Sequence, residues 1–460
     1  MFHEVVHSEG LAHLSYVIGD KGEAAVIDPR RDSQVYLDIA YGKGGRITHI
    51  FETHRNEDYA IGSMDLARRT GAKIYHGKAL PFTYGNPVAE NDTFTLGSMV
   101  LRVLETPGHT YESISITLAD KAYGEEPVAV FTGDALFIGD VGRTDFFPDR
   151  AEEVAGLLYD SIFRKLLPLG DHVILYPAHG AGSVCGSGIA SREFSTLGYE
   201  RKHNPVLQKT DRKEFIRHKV SERHYQPPYF KRMEKYNLEG PPPLDELPRP
   251  VPLSANRFAE AMEGGMLVVD ARSPEAFAGA HIPGTISIPL DMIPGFAGFF
   301  LPYDRKILLV TQESDDVETA VRRLVRIGYD DVAGYLEGEL RAWEMSGRPY
   351  ASMAVLHARD LDRRITSGQK FTLLDVRSEE EWKKGHLPGA LHIYLGDLPG
   401  QLDRIPKDRP VTTYCASGGR AMIAASILRK SGFAEVEDSL GSMSAWRAIG
   451  GKVVTEDKPK

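Results

Sequence analysis

The stretch Thr53–Gly62 reads THRNEDYAIG and follows the apolar run RITHIFE at Arg46–Glu52. A loop of the form T-H-x-H-x-D-H would offer histidines and an aspartate to a pair of metal ions. Here His54 and Asp58 hold their places, while Asn56 and Tyr59 stand where two of the histidines would be. The loop is a dead site, an unrelated loop, or a site built for different metal chemistry.

Working outward, several apolar segments repeat one plan. EAAVIDP (Glu23–Pro29), RITHIFETH (Arg46–His54), MVLRVLETPGH (Met99–His109), PVAVFTGDALF (Pro127–Phe137) and HVILYPAHG (His172–Gly180) read as strands. Each delivers polar residues at its C-terminal end, where layered α/β proteins place their sites. The ligand-type residues at these ends are His54, His109, Asp134 and His179.

The chain has 460 residues, more than one ordinary domain holds. With 42% hydrophobic and 26% charged residues it has the composition of a soluble globular protein. A net charge of −9 argues against a nucleic-acid binder. No apolar run reaches the length of a membrane span. The start, MFHEVVHSEG, lacks the basic and apolar regions of a signal peptide. A cytoplasmic protein is expected, with no membrane and no nucleic-acid partner.

Residues 1–240 form the first expected domain. Its last part, Tyr199–Tyr236, is polar and rich in Lys, Arg and Tyr, and reads as a pair of solvated helices. The proline-rich EGPPPLDELPRPVP (Glu239–Pro252) then marks a stiff linker, assigned to 241–252. Beyond it lies an internal repeat. Asp270, Arg272, His281, Pro283 and Gly284 recur as Asp375, Arg377, His386, Pro388 and Gly389, each 105 residues later. The repeat predicts two small doubly wound α/β domains, at 253–350 and 355–460.

The chain has two cysteines, Cys185 and Cys415, far apart in sequence, and a structural disulfide is not expected in a reducing compartment. Cys415 sits in VTTYCASGGRAMIAASIL (Val411–Leu428), after a strand ending at Tyr414 and before a helix expected to follow Arg420. Ala416, Ser417, Gly418 and Gly419 form a small-residue loop that turns backbone N–H groups inward. That cradle, the positive end of the helix and the Arg420 charge stabilise a thiolate or a persulfide. The alternative is a buried structural cysteine. In the first repeat unit the matching position is Thr311, Asp316 replaces Arg420, and no cysteine occurs. That unit cannot carry sulfur in the same way and reads as a structural or docking module.

The contexts ETH, TPGHT, TGDALF and PAHG, in this order, resemble the metallo-β-lactamase superfamily over roughly residues 1–240. The resemblance implies an αββα sandwich with the site at one edge of the paired sheets. In that superfamily one metal uses the H-x-H pair and the TPGH-type histidine. The other uses the D-H pair and the PAHG-type histidine, and the GD aspartate bridges. Carried over to this chain, Asn56 takes an imidazole from the first metal and Tyr59 takes one from the second. His54, His109 and Asp134 survive intact. Two imidazoles and a carboxylate on one face suit a non-haem Fe(II) oxygenase, which needs several open positions, better than zinc. This matches the persulfide dioxygenase branch of the superfamily.

Around this trio, Asp58 and His179 read as residues that orient ligands or steer protons. Asp28 reads as a hydrogen-bond acceptor for the ligand loops, or as a plain strand-end turn. Arg143 reads as a contact for a substrate anion or as a surface salt bridge. Cys185, in the Gly-rich loop after His179, either holds or guides sulfur near the site mouth or is a small buried hydrophobe.

DVRSEEEWKKGHLPGALHI, the C-x-x-G-x-R loop and GSMSAW resemble the rhodanese family over about residues 355–455. The whole order resembles the fused persulfide dioxygenase–sulfurtransferases of bacterial sulfide detoxification. That implies one Fe(II) per chain and a homo-oligomer. It also implies a low-molecular-weight thiol persulfide, O2 and sulfite or thiosulfate as reaction partners, with Cys415 as the sulfur carrier. Two other readings stay open: a thioester hydrolase of the glyoxalase II type joined to a rhodanese, and a sulfur-carrier or sensing protein with a vestigial oxygenase site.

Overall fold

The computed structural model describes residues 1–186 and 188–455. Residues 456–460, the end of the range expected for the last domain, lie outside the described residues. Two units divide the chain: Met1–Leu247 with Val325–Gly328, and Pro248–Leu324 with Tyr329–Lys460.

In the first unit, strands β1 (Phe2–Ser8), β2 (His13–Asp20), β3 (Glu23–Ile27), β4 (Arg46–Glu52), β5 (Lys73–Gly77) and β6 (Asn86–Val88) form one sheet in sequence order. A second sheet holds β7 (Thr93–Leu96), β8 (Met99–Glu105), β9 (Ile114–Asp120), β10 (Ala129–Gly133), β11 (Ile174–Pro177) and β12 (Ser195–Thr196), again in order. The inner faces meet through Tyr16, Ile27 and Phe51 on one side and Leu101, Ile116 and Phe131 on the other. Burying each such side chain contributes roughly 1.5–3 kcal/mol.

Helices Gln34–Gly42 and Ser63–Thr70 cover the outside of the first sheet with Tyr36, Ala40 and Leu66. Helix Ala151–Asp160 covers the second sheet, setting Leu158 against Val130 and Leu175. The layers are therefore helix, sheet, sheet, helix. Because β9 is antiparallel to β8 and β10, and β10 is parallel to β11, strands β8, β10 and β11 end at the same edge. The backbone N–H of Ile114 donates to the Thr53 carbonyl at 2.7 Å, tying the end of β4 to that edge.

The segment expected to hold two solvated helices holds three: Leu197–His203, Arg212–Ser221 and Phe230–Glu239. Thr196 and Asp211 cap the first two. Leu197, Phe215, Phe230 and Met233, scattered among the charges, are buried, so these helices are packed elements. The linker also departs from expectation. In the first unit the Pro242 carbonyl accepts from Arg31, and the Leu244 N–H donates to Asp65. In the second, Val251–Leu253 is already a strand.

The second unit carries two parallel five-stranded sheets. The first holds β13 (Val251–Leu253), β14 (Leu267–Asp270), β15 (Ile286–Ser287), β16 (Ile307–Val310) and β17 (Val332–Leu336). The other holds β18 (Ala354–Val355), β19 (Thr372–Asp375), β20 (Leu391–His392), β21 (Val411–Tyr414) and β22 (Val436–Asp438). Their orders, β13-β17-β16-β14-β15 and β18-β22-β21-β19-β20, are the same. The repeated Asp and Arg form matching internal forks, Arg272 on Asp270 and Arg377 on Asp375. The two domains share a core: Phe277, Ala278 and Met353 pack with Leu374, Val376 and Leu428. The Ser287 N–H donates to Ser426 Oγ across the same seam.

Candidate functional site

The strand ends bring His54, His109 and Asp134 together. One ligand atom from each lies within 4.8 Å of the others, and all three residues are buried. His54 Nε2 is 3.8 Å and His109 Nε2 is 3.5 Å from Asp134 Oδ2. Among the described residues, none of these three atoms has a hydrogen-bond partner. Buried polar atoms are rarely left so, and here all three face one point.

The other nitrogen of each ring is committed. Thr53 Oγ1 donates to Asp28 Oδ2 at 2.7 Å and accepts from His54 Nδ1 at 2.9 Å. The Thr53 N–H donates to Asp28 Oδ1, so Asp28 does hold this loop. His109 Nδ1 donates to the Arg143 carbonyl at 3.0 Å. Both rings therefore present an Nε2 lone pair inward, as metal-ligating histidines do. Gly133, at φ 54°, makes the turn into Asp134, and a Cβ there would meet Thr53 Oγ1 at 2.6 Å.

Burial pushes the His54 imidazole down to about 4, which keeps its lone pair free. Burial alone would raise Asp134, but His179 and then His54 outweigh it and hold the carboxyl below the usual range. His109 moves the other way: burial opposes its protonation, yet Glu57 and Asp134 raise it. The donor set, two neutral-capable imidazoles and an ionised carboxylate, fits a divalent metal ion.

His179 joins this cluster to Asp58. Its Nδ1 is 2.7 Å from Asp134 Oδ1 and its Nε2 is 3.0 Å from Asp58 Oδ2. Asn56 turns its amide onto its own loop, donating to the His54 carbonyl at 3.2 Å. Tyr59 lies against the His13 ring with centroids 4.0 Å apart.

Two surrounding residues lie deeper than the sequence suggested. The Arg143 guanidinium does not lie at the surface. It is buried, grips Asp145 at 2.7 and 2.6 Å, and donates to the carbonyls of Val184 and Tyr225. Its backbone carbonyl, which orients His109, is the part that reaches the cluster. Cys185 is not at a mouth. It is fully buried, with a ligand atom within 4.8 Å of those of Asp58 and His179.

Two residues escaped the sequence reading. Glu57 is buried, has no hydrogen-bond partner on either oxygen among the described residues, and lies 3.5 Å from His109 Nε2 through Oε2. It stands at an intervening position of the motif, where residue type carries no pattern. Asn237, from helix Phe230–Glu239, donates to the carbonyls of Asn56 and Tyr59 and accepts the Ile61 N–H. It clamps the loop from 176 residues or more away in sequence.

The second candidate site lies at the end of β21. Cys415 is buried, its N–H donates to Ser442 Oγ at 3.0 Å, and the Gly418 N–H points at Sγ at 3.1 Å. The helix begins at Gly419, one residue before Arg420. Gly418, at φ 121°, makes the turn into it. The Met443 and Ser444 N–H groups donate to the carbonyls of Cys415 and Ala416, so GSMSAW braces the loop. Arg420 forms a fork on Glu381 at 2.6 and 2.8 Å. Met292 of the preceding domain stands where a Gly419 side chain would go, with Sδ 2.7 Å from that position.

The chain is similar to several known proteins. The metallo-β-lactamase superfamily model matches residues 9–179, and the rhodanese-like domain model matches 254–346 and 357–449. A crystal structure of a metallo-β-lactamase from Staphylococcus aureus subsp. aureus COL is 34% identical, covering 73% of this chain and 99% of that one, with a TM-score of 0.66. The mitochondrial persulfide dioxygenase ETHE1 of Bos taurus is 28% identical over 250 residues, 50% of this chain and 80% of that protein. A hydroxyacylglutathione hydrolase of Rhodospirillum rubrum is 35% identical over 162 residues, 34% of this chain and 57% of that protein. The chain belongs to the metallo-β-lactamase superfamily, as a fused protein whose metallo-β-lactamase domain is followed by two rhodanese-like domains.

Proposed function

We propose that the chain is a persulfide dioxygenase joined to a sulfurtransferase. The first activity converts RSSH, O2 and H2O to RSH and sulfurous acid, which ionises to sulfite. The second unites sulfite with sulfane sulfur as thiosulfate. The observation that carries the first activity is the trio of buried, unpartnered ligand atoms on His54, His109 and Asp134.

These three residues would hold one iron(II), which when bound supplies the O2 chemistry that zinc, lacking redox states, cannot. The chain's own residues prepare the site. Thr53 and the Arg143 carbonyl set the ring tautomers. Glu57 sets a buried carboxylate oxygen 3.5 Å from His109 Nε2. The family name of the Bos taurus relative supports the assignment.

In the last domain the Cys415 thiolate attacks the outer sulfur of a persulfide. The S–S bond breaks and RS⁻ leaves. The sulfur lone pair of sulfite then attacks that outer sulfur, its bond to Cys415 Sγ breaks, and thiosulfate leaves with the thiolate restored. The Gly418 N–H beside Sγ stabilises negative charge there. The same residues serve the reverse direction. Cys415→Ser should stop thiosulfate formation while sulfite production continues. Enzymatic thiosulfate formation that survives the change would remove Cys415 from the pathway.

The Rhodospirillum rubrum relative favours one other reading, a glutathione thioester hydrolase. Asn56 and Tyr59 weigh against it, since they take imidazoles from the pair of metals such a site uses. Hydrolysis of a glutathione thioester, measured beside oxygen uptake, separates the two.

A further inference from the structure

Four residues of the first unit, Val325–Gly328, come from the sequence of the thiol-free rhodanese-like repeat. They form the turn at the end of helix Asp316–Arg326. The last domain has the same turn 104 residues later, where Arg429, Lys430, Ser431 and Gly432 match Val325, Arg326, Ile327 and Gly328. The backbones agree. The Tyr329 N–H donates to the Leu324 carbonyl at 3.0 Å, and the Phe433 N–H to the Leu428 carbonyl at 3.1 Å. Gly328 and Gly432 are both left-handed, at φ 81° and 86°. The surroundings differ. Arg429, Lys430 and Gly432 are exposed, whereas all four residues of the earlier turn are buried.

The earlier turn is buried against the loop of the opening motif and the helix that clamps that loop. The Arg326 carbonyl accepts the Ala60 N–H at 2.7 Å, one residue beyond Tyr59. The Arg326 guanidinium forks on Asp32 through Nε and Nη2, both at 2.9 Å, and both side chains are buried. A fork of this kind fixes direction as well as position. Arg30 pairs with the same carboxylate at 3.0 Å, and its backbone bridges to Ile61. A Cβ on Gly328 would stand 3.0 Å from Tyr236 and 3.1 Å from Met233, on the helix that carries Asn237. One turn therefore holds both the loop after β4 and the segment after β3, where Asp28 holds Thr53.

We infer that Arg326 is a positioning residue for the metal site, and that supplying this turn is a task of the thiol-free repeat. The inference rests on reading His54, His109 and Asp134 as metal ligands. Arg326 acts through Ala60 and Asp32, which lie on the two segments that set the His54 ring. Small displacements of a ligand are enough to weaken a metal site.

The test is cobalt(II) binding to the metal-free full-length chain, read by the visible d–d bands that His54→Ala abolishes. These bands report ligand geometry and need no turnover. Arg326→Ala should weaken cobalt binding by about 10-fold and alter the band pattern. Lys430→Ala, the same position in the exposed copy of the turn, should bind as the wild type does. Asp32→Asn keeps the size of its side chain and should weaken binding in the same direction, so it decides the matter if Arg326→Ala does not fold. Wild-type affinity and bands in these first-unit variants, or an equal loss in Lys430→Ala, would overturn the inference and leave the metal reading standing. A wild-type chain without the His54-dependent bands would instead remove the metal reading, and the inference with it.

Discussion

His179 donates its Nδ1–H to Asp134 at 2.7 Å, while the other Asp134 oxygen lies 3.5 Å from His109 Nε2. One carboxylate therefore works on both sides of the cluster. Its inner oxygen belongs to the His54 and His109 set, and its outer oxygen fixes the ring that faces Asp58. The opening motif is read from this arrangement. Asn56 and Tyr59 are not gaps in a single ligand set. They lie on the loop that delivers His54 and Asp58 to two neighbouring points.

Asn56→His tests that reading. Asn56 is buried and its amide donates to the His54 carbonyl. If His54, His109 and Asp134 suffice, the variant should keep its iron stoichiometry at one per chain by elemental analysis. Loss of that iron would mean the ligands are misassigned.

Asn237→Ala should loosen the motif loop. The side chain makes hydrogen bonds to Asn56, Tyr59 and Ile61, all in a buried setting. At about 1 kcal/mol each, and more where a carbonyl is left unpaired, the loss should be about 2–4 kcal/mol. Thermal unfolding of the full chain should show a lower first transition, and metal affinity should fall with it. An unchanged transition would show that the clamp is redundant.

Glu381→Gln should impair sulfur transfer and leave oxygen uptake alone. Burial alone would raise the Glu381 carboxyl, but its hydrogen bonds and charge pairing with Arg420 pull it down to about 2. A depressed carboxyl stabilises the fold above the ordinary carboxylate range, and that contribution fades as pH falls towards about 2. The wild-type last domain should therefore lose stability on acidification more steeply than the variant between about pH 5 and 2. Acid-unfolding curves of the two proteins check the sign. Equal slopes would mean that the Arg420 fork does not contribute.

Much of this was legible because strands carry their periodicity on the surface of the sequence. Each of β4, β8, β10 and β11 is an apolar run with a ligand-type residue at or just beyond its end, so His54, His109, Asp134 and His179 could be picked out. The repeated Asp and Arg pairs likewise revealed two related sheets. What was hidden depends on chain paths that no local pattern encodes. Cys185 reaches Asp58 only because the loop after β11 folds back into the sandwich. Asn237 reaches the motif from a helix whose buried Phe230 and Met233 were masked by neighbouring charge. Arg143 looked available until Asp145, two residues on, proved to hold it. Arg420 looked free because Glu381 lies on the helix at Glu379–Lys383, far back in the chain.

The most direct test of the central claim is oxygen uptake by the iron-reconstituted full-length chain, supplied with glutathione persulfide or coenzyme A persulfide. The account predicts iron-dependent consumption of one O2 for each sulfite released, abolished by His54→Ala. Iron-loaded protein that consumes no oxygen with either persulfide would contradict it.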